Sequence, residues 1–167
     1  KKNKIDISEL MNQEKIILIN LSKGRIGEEN ASFFGSMFLT KIKQAGMERA
    51  SIPETERKDF YLYIDEFHNI VTQTFENILS EARKYALNLT IAHQYIGQLI
   101  PQVQHAVLGN TGSLICFRVG GEDAVKLKPE FAPLFDVKDM INLAVAEFYI
   151  KMTIDGESYD PFSAETL

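Results

Sequence analysis

Two adjacent carboxylates, Asp65 and Glu66, are the side chains of this sequence best placed to do chemistry. They follow an apolar, aromatic-rich run, Phe60–Ile64, which is too short for a helix and rich in strand-favouring types, and so predicts a buried strand. Because burying an unpaired carboxylate is costly, we expect both acids where the strand leaves the sheet. There, two carboxylates can hold a metal ion and activate a water molecule. A strand that ends in an acidic turn without chemistry gives the same pattern.

An apolar strand followed by Asp-Glu is the Walker B pattern of P-loop NTPases. In that pattern the Asp helps to hold Mg²⁺, and the Glu polarises the water that attacks the γ-phosphate. The phosphate-cradling loop that normally precedes it, Gly-x-x-x-x-Gly-Lys-Ser/Thr, does not occur in the chain. Residues 22–27 contain glycine and follow a predicted strand, but their spacing is wrong. The sequence therefore predicts one half of a nucleotide site.

A glutamine, Gln94, closes the next predicted strand, residues 88–92. Because the carboxyl ends of neighbouring parallel strands meet at one edge of a sheet, we expect Gln94 beside the acidic pair. A glutamine at this edge can hydrogen-bond the attacking water or a phosphate oxygen and so report which nucleotide is bound. A loop glutamine without a role is the alternative.

Two arginines are candidates for contacting phosphate. Arg83 lies near the end of a predicted helix over residues 74–85, where it either complements the helix dipole or acts as an arginine finger toward a neighbouring subunit. Arg118 closes a predicted strand that begins at residue 113 and is the second candidate. The three histidines show no metal-ligand spacing.

The elements that must position these residues alternate between strands and helices. Predicted strands cover residues 15–21, 59–64, 88–92 and 113–119; predicted helices cover residues 28–49, 74–85, 98–108, 122–127 and 137–143; and a β-hairpin closes the chain from residue 146. This alternation predicts parallel βαβ units in a three-layer α/β fold with a mostly parallel sheet. Three aromatics on the first long helix are expected in the core: Phe33, Phe34 and Phe38.

Length and composition are ordinary for a globular protein. The 167 residues predict one domain, and 45% hydrophobic with 25% charged residues allow a sizeable core. A net charge of −5 gives no general attraction to DNA or anionic membranes. The single cysteine, Cys116, excludes an intrachain disulfide and is compatible with a reducing cytosol. A first residue of Lys1 predicts a piece of a longer chain.

An ordered series of motifs resembles the HerA–FtsK superfamily of ring-forming ATPases, and within it the conjugative coupling proteins and type IV secretion ATPases. The motifs run along nearly the whole chain. They are Leu18-Ile19-Asn20-Leu21-Ser22 with Gly24, Tyr63-Ile64-Asp65-Glu66-Phe67, Glu81-Ala82-Arg83-Lys84-Tyr85, Ala92-His93-Gln94, Gly109-Asn110-Thr111-Gly112, and Phe117-Arg118-Val119-Gly120 with Asp123-Ala124.

The resemblance implies the carboxy-terminal part, residues 1–167, of a RecA-like motor domain that lacks the P-loop strand. It implies ATP and Mg²⁺ as cofactors, with Asp65 at the metal, Glu66 as catalytic base, Gln94 as γ-phosphate sensor and Arg83 as the trans-acting arginine. It also implies a hexamer at the cytoplasmic face of the inner membrane, working with other secretion or conjugation components on DNA or a secreted protein. Without the P-loop, the chain alone is expected to bind nucleotide poorly and to hydrolyse none.

Two other interpretations remain open. A non-catalytic interaction module with an NTPase-like fold is consistent with the missing P-loop and the acidic charge. A helicase of another lineage is the third, because Asp65-Glu66-Phe67-His68 superficially resembles a DExH box, although no companion motifs follow it.

Overall fold

The structure, a computed structural model, describes residues 5–72 and 75–167. The α-helices are α1 (Ile7–Asn12), α2 (Lys23–Ile26), α3 (Glu28–Glu48), α4 (Phe75–Glu81), α5 (Pro101–Asn110), α6 (Gly121–Phe131) and α7 (Val137–Ile141). The strands are β1 (Phe60–Ile64), β2 (Leu87–Ile91), β3 (Leu114–Cys116), β4 (Glu147–Lys151), β5 (Thr153–Ile154), β6 (Glu157–Ser158) and β7 (Phe162–Glu165). Single 3₁₀ turns cover Arg49–Ser51, Glu54–Glu56, Phe67–Asn69, Ala82–Tyr85 and Ile96–Gln98.

The chain divides into two compact units. The first runs to Gln94 and includes Ile100–Ala106, and the second comprises Tyr95–Leu99 and Val107–Leu167. In the first unit, β1 and β2 pair in parallel, with Phe60 opposite Leu87. The predicted strand that precedes the acidic pair is confirmed, but it is only half covered because Tyr61 and Tyr63 are exposed.

Helix α3 packs on the first unit through a stripe of mostly small residues. Its buried positions are Ala31, Gly35, Leu39, Ile42, Ala45 and Gly46. The expectation that Phe33 and Phe34 lie in the core is wrong, since their exposed fractions are 62% and 39%. The buried stripe passes through Gly35 instead, because the helix approaches Ile70 too closely there for a larger side chain.

The prediction of a strand over residues 15–21 is wrong. They form no regular element, and Ile16 and Leu18 are more than 90% exposed. A strand needs a neighbour to take up its backbone hydrogen bonds. Among the described strands, however, β1 bonds only to β2. Residue types alone therefore overestimated the order of this segment.

Two arginines hold the turn that leads into β2. Arg49 is 3% exposed, and its guanidinium donates to the carbonyl oxygens of Tyr85 and Ala86, at 3.1 and 3.4 Å. Burial lowers the pKa of Arg49 from its ordinary value, against the opposing effect of Asp59. Arg57 donates to the carbonyl oxygen of Lys84 in the same turn. These bonds supply donors at the end of a helical turn, where intrahelical donors are missing, although the carbonyl oxygen of Ala86 also accepts the Phe60 amide at 2.8 Å.

The second unit is built on an antiparallel sheet in the order β3-β4-β7, with β5 and β6 as a separate hairpin. The hairpin turns at Asp155 and Gly156, whose φ values of 52° and 84° lie in the left-handed region that two-residue hairpin turns favour. The core of the second unit contains Ile96, Cys116, Ala124, Leu127, Phe131 and Met140. Burial, with a further contribution from Asp123, raises the pKa of the Cys116 thiol to about 11.

The predicted α/β class with a parallel sheet is confirmed. Parallel pairing is confined to β1 and β2 among the described strands, because β4 and β7 return as antiparallel neighbours of β3. The predicted helix over residues 74–85 is present from Phe75, with Thr74 outside the described residues. In residues 5–72 and 75–167, no helix has both the length and the apolar character to cross a bilayer.

Candidate functional site

The carboxyl ends of β1 and β2 lie at one edge of the parallel sheet. Ile64 is in register with Ile91, and the pairing continues beyond the strands. The amide of Ala92 donates to the carbonyl oxygen of Ile64 at 2.9 Å, and the amide of Phe67 donates to that of Ala92 at 3.0 Å. As predicted from the sequence, this edge brings the acidic pair and Gln94 together.

Glu66 adopts a backbone conformation that is unusual for a residue with a side chain. Its φ of 47° and ψ of 44° place it in the left-handed region, where the Cβ atom crowds the backbone. The next residue, Phe67, is fully buried and packs its ring against Phe75 and His93. The Asp65 carboxylate accepts the Glu66 amide at 2.9 Å. The buried ring and this short bond together define the turn that presents Glu66.

The Glu66 carboxylate accepts hydrogen bonds at both of its oxygens. Nε2 of Gln94 donates to Oε1 at 2.8 Å, and Nδ2 of Asn69 donates to Oε2 at 3.2 Å. Oδ1 of Asn69 in turn accepts from Nζ of Lys23 at 2.7 Å, and the same ammonium pairs with Glu28 at 3.0 Å. One polar network thus connects the predicted sensor glutamine to the start of α3.

Sequence reasoning missed Asn69 and Lys23. Lys23 lies in the glycine-containing segment 22–27, which was set aside because its spacing does not match a P-loop. Asn69 follows Glu66 by three residues, and the 3₁₀ turn Phe67–Asn69 brings the two together. In this turn the backbone amide of Asn69 donates to the Glu66 carbonyl oxygen at 3.0 Å. A polar residue three positions after a candidate base was the signal available in the sequence.

A groove of about 590 Å³ opens beside the acidic pair within the first unit. Its walls are largely apolar and come from α3, β1 and the segment that precedes α2. Polar side chains line it as well, namely Asn20, Ser22, Lys23, Asp65, Glu66 and Asn69. Mg²⁺ and phosphates require charged or polar partners, so only the part of the groove near these side chains suits such ligands.

Neither candidate arginine belongs to the Glu66 network of hydrogen bonds in the described part of the chain. Arg83 is exposed in the 3₁₀ turn Ala82–Tyr85, which precedes β2, whereas Gln94 follows it. Five residues of strand span roughly 16 Å, so Arg83 and Gln94 lie at opposite ends of β2. Arg118 is exposed in the second unit, two residues after β3. The roles of both arginines stay predictions.

The acidic pair fits the metal side of a nucleotide–Mg²⁺ complex. Mg²⁺ prefers oxygen ligands and is commonly bound through one or two carboxylates together with substrate phosphates. Asp65 is exposed, so its carboxylate is accessible at the edge of the sheet. No group of three or more His, Cys, Asp or Glu residues converges in the described part of the chain, so phosphates would have to complete such a site.

Solved structures share this arrangement of elements. The bacterial conjugative coupling protein TrwB, in an unbound form lacking its first 70 residues, matches 86% of the chain with a TM-score of 0.65 at 14% identity. TrwB in complex with ADP and Mg²⁺ matches with a TM-score of 0.64, also at 14% identity and over 86% of the chain. The genome packaging NTPase B204 from Sulfolobus turreted icosahedral virus 2, in complex with AMPPCP, matches 79% of the chain with a TM-score of 0.55 at 16% identity.

The matches cover part of each solved protein. The chain spans 38% and 37% of the two TrwB chains and 62% of the B204 chain. No protein-family model and no curated protein matches the sequence. At these identities the likeness concerns the fold: the chain has the RecA-like NTPase fold found in the TrwB coupling protein and the B204 packaging NTPase.

Proposed function

We propose that this chain is part of the motor domain of an ATP-driven translocase for conjugative DNA transfer or type IV secretion. The observation that carries the proposal is the 2.8 Å hydrogen bond between Gln94 and Glu66 at the carboxyl edge of β1 and β2. A glutamine held against a candidate base can transmit the state of the bound nucleotide to it. The similar fold of TrwB, a conjugative coupling protein bound to ADP and Mg²⁺, and of B204, a genome packaging NTPase bound to AMPPCP, supports the choice of nucleotide and of motor.

In this proposal each residue has a separate task. Glu66 orients the attacking water and accepts its proton, Asp65 holds Mg²⁺, and Gln94 contacts the γ-phosphate. Arg83 acts from a neighbouring subunit of a hexameric ring, and Arg118 contacts phosphate or a neighbour. Bound ATP with Mg²⁺ supplies the phosphoryl group whose hydrolysis drives movement. A P-loop pattern to cradle the phosphates does not occur in these 167 residues.

The wider setting follows from the same proposal. DNA or a secreted protein is the cargo, other conjugation or secretion components are the partners, and the cytoplasmic face of the inner membrane is the place of work, reached through other domains. With a net charge of −5, DNA contact depends on local groups or on the assembled ring.

A non-catalytic interaction module is the second candidate. The observation that favours it is the closed network around Glu66, in which both carboxylate oxygens are engaged by the chain's own amides. A carboxylate satisfied in this way is a stable terminus for a strand without any chemistry.

ATP turnover by the full-length protein, with and without DNA, separates the two candidates. We expect Glu66→Gln to lower kcat by roughly 100-fold or more, because it removes a general base, while nucleotide binding is retained. Glu54→Gln, an exposed glutamate in a surface turn, is the matched control and should leave turnover unchanged. If the full-length protein hydrolyses no ATP under either condition, the interaction module replaces the motor.

A further inference from the structure

The orientation of the Glu66 carboxylate depends on Asn69 as well as on Gln94. The two amides donate to different oxygens of the same carboxylate, at 3.2 and 2.8 Å. Asn69 also donates from Nδ2 to the carbonyl oxygen of Glu66 at 3.1 Å. A carboxylate held at both oxygens has a fixed plane, whereas one held by Gln94 alone could rotate about its last side-chain bond.

Lys23 holds the end of the Asn69 amide that faces away from Glu66. An ammonium group has donors and no acceptor, so it bonds Oδ1 of Asn69 while Nδ2 is directed at the carboxylate. The carboxylate and the carbonyl oxygen of Glu66 are both acceptors and favour the same orientation, so Lys23 anchors the amide from its other end. Lys23 is itself held by Glu28 at the start of α3.

The bond from Lys23 to Asn69 joins an ammonium to a neutral amide that itself contacts Glu66, which distinguishes it from an ordinary surface ion pair. The Lys23–Glu28 pair alone, between exposed side chains five residues apart, would contribute little. The chain offers a comparison in Lys58, which forms an ion pair of the same 3.0 Å length with Glu14 and, within the described residues, donates to no amide side chain.

We propose that Asn69 and Lys23 are positioning residues for Glu66: Asn69 holds the second carboxylate oxygen, and Lys23 fixes the orientation of the Asn69 amide. This inference rests on the proposed function in one respect, namely that the oriented carboxylate is the base for water attack. Lys23 is the first residue of α2, so a movement of α2 would change the orientation of Glu66 through this network.

The first test measures the side-chain amide signals of Asn69 and Gln94 by ¹H–¹⁵N NMR of the chain, assigned with Asn69→Ala and Gln94→Ala. We expect Lys23→Met to shift both signals, because the Asn69 amide loses its fixed orientation and the carboxylate between them rotates. Lys58→Met removes a cation and an ion pair of equal length and should shift neither. Asn88→Ala, which removes an amide donor to Asp59 at 3.0 Å, is the second control.

The second test measures steady-state ATP turnover of the full-length protein. We expect Lys23→Met and Asn69→Asp each to lower kcat about tenfold with the KM for ATP within about twofold, since a misplaced base slows the chemical step and leaves binding intact. Asn69→Asp keeps the size of the side chain, and circular dichroism confirms that each variant is folded.

Unchanged Asn69 and Gln94 signals in Lys23→Met would overturn the positioning role, as would a wild-type kcat in Asn69→Asp. A failure of the proposed function looks different. In that case the full-length protein hydrolyses no ATP, or Glu66→Gln leaves its turnover unaffected, while the amide signals still decide whether Lys23 and Asn69 orient the carboxylate.

Discussion

At the scale of single residues, Glu66 combines a strained backbone with a carboxylate that accepts two side-chain hydrogen bonds. Its left-handed backbone costs about 1–2 kcal/mol for a residue with a Cβ atom, and its carboxylate is held by two amides. Strained residues of this kind persist only where the surroundings over-determine them, and they cluster at functional sites. The buried ring of Phe67 is the nearest part of those surroundings.

The strain at Glu66 can be measured by comparing two truncations. Glu66→Ala and Glu66→Gly both lose the carboxylate contacts, but only alanine keeps the Cβ atom in the left-handed region. We therefore expect the glycine variant to be the more stable, by about 1 kcal/mol in urea unfolding. Glu81, with a φ of −112°, is the control position, and the order there should reverse. If alanine is the more stable at both positions, Glu66 is unstrained.

At the scale of elements, Gly35 controls how closely α3 approaches the loop that carries Glu66. A Cβ atom at Gly35 would lie 2.2 Å from Cγ2 and 2.9 Å from Cβ of Ile70, four residues after Glu66. Neither atom is the far end of a flexible side chain, so the helix or the loop would have to move. The small residue therefore fixes the spacing between these two elements.

We expect Gly35→Ala to destabilise the first unit by about 1–3 kcal/mol, the usual cost of overpacking. Gly46→Ala on the same helix is the matched control. Its Cβ would meet nothing nearer than 3.8 Å, so helix propensity should stabilise that variant by about 0.5–1 kcal/mol. Thermal or urea unfolding of both variants tests the pair. Equal effects of the two substitutions would show that the close approach to Ile70 does not constrain the fold.

At the scale of the whole molecule, the position of Arg83 bears on assembly. It lies at the opposite end of β2 from Gln94, in a turn held by Arg49 and Arg57, and its side chain is exposed. An arginine so placed cannot serve the Glu66 edge of its own chain without refolding the turn. If it acts on nucleotide at all, it acts on that of another subunit.

Mixing experiments on the full-length protein test this expectation. Arg83→Ala and Glu66→Gln proteins should each be inactive, while an equal mixture should recover about a quarter of the wild-type activity, because that fraction of head-to-tail interfaces pairs an intact Glu66 with an intact Arg83. Lys84→Ala, which removes the adjacent exposed cation, should stay active. An inactive mixture would exclude a role for Arg83 across the subunit boundary.

The sequence alone located most elements and the sheet edge that carries the candidate site. Strand propensity predicted β1 and β2, and parallel geometry predicted that Asp65, Glu66 and Gln94 would meet. Sequence failed where tertiary contacts outweigh propensity. Residues 15–21 have strand-forming types but pair with none of the described strands, and the buried stripe of α3 follows Gly35 rather than Phe34.

What the sequence by itself determined is therefore local: which residues form the parallel strands and which polar groups follow them. Only the tertiary structure decided that Lys23, 46 residues away in sequence, hydrogen-bonds the same Asn69 side chain that contacts Glu66. The physical reason is that a side-chain hydrogen bond depends on distances of a few tenths of an ångström. Such distances are set by the packing of α3 against the loop after β1, and no local pattern of residue types records them.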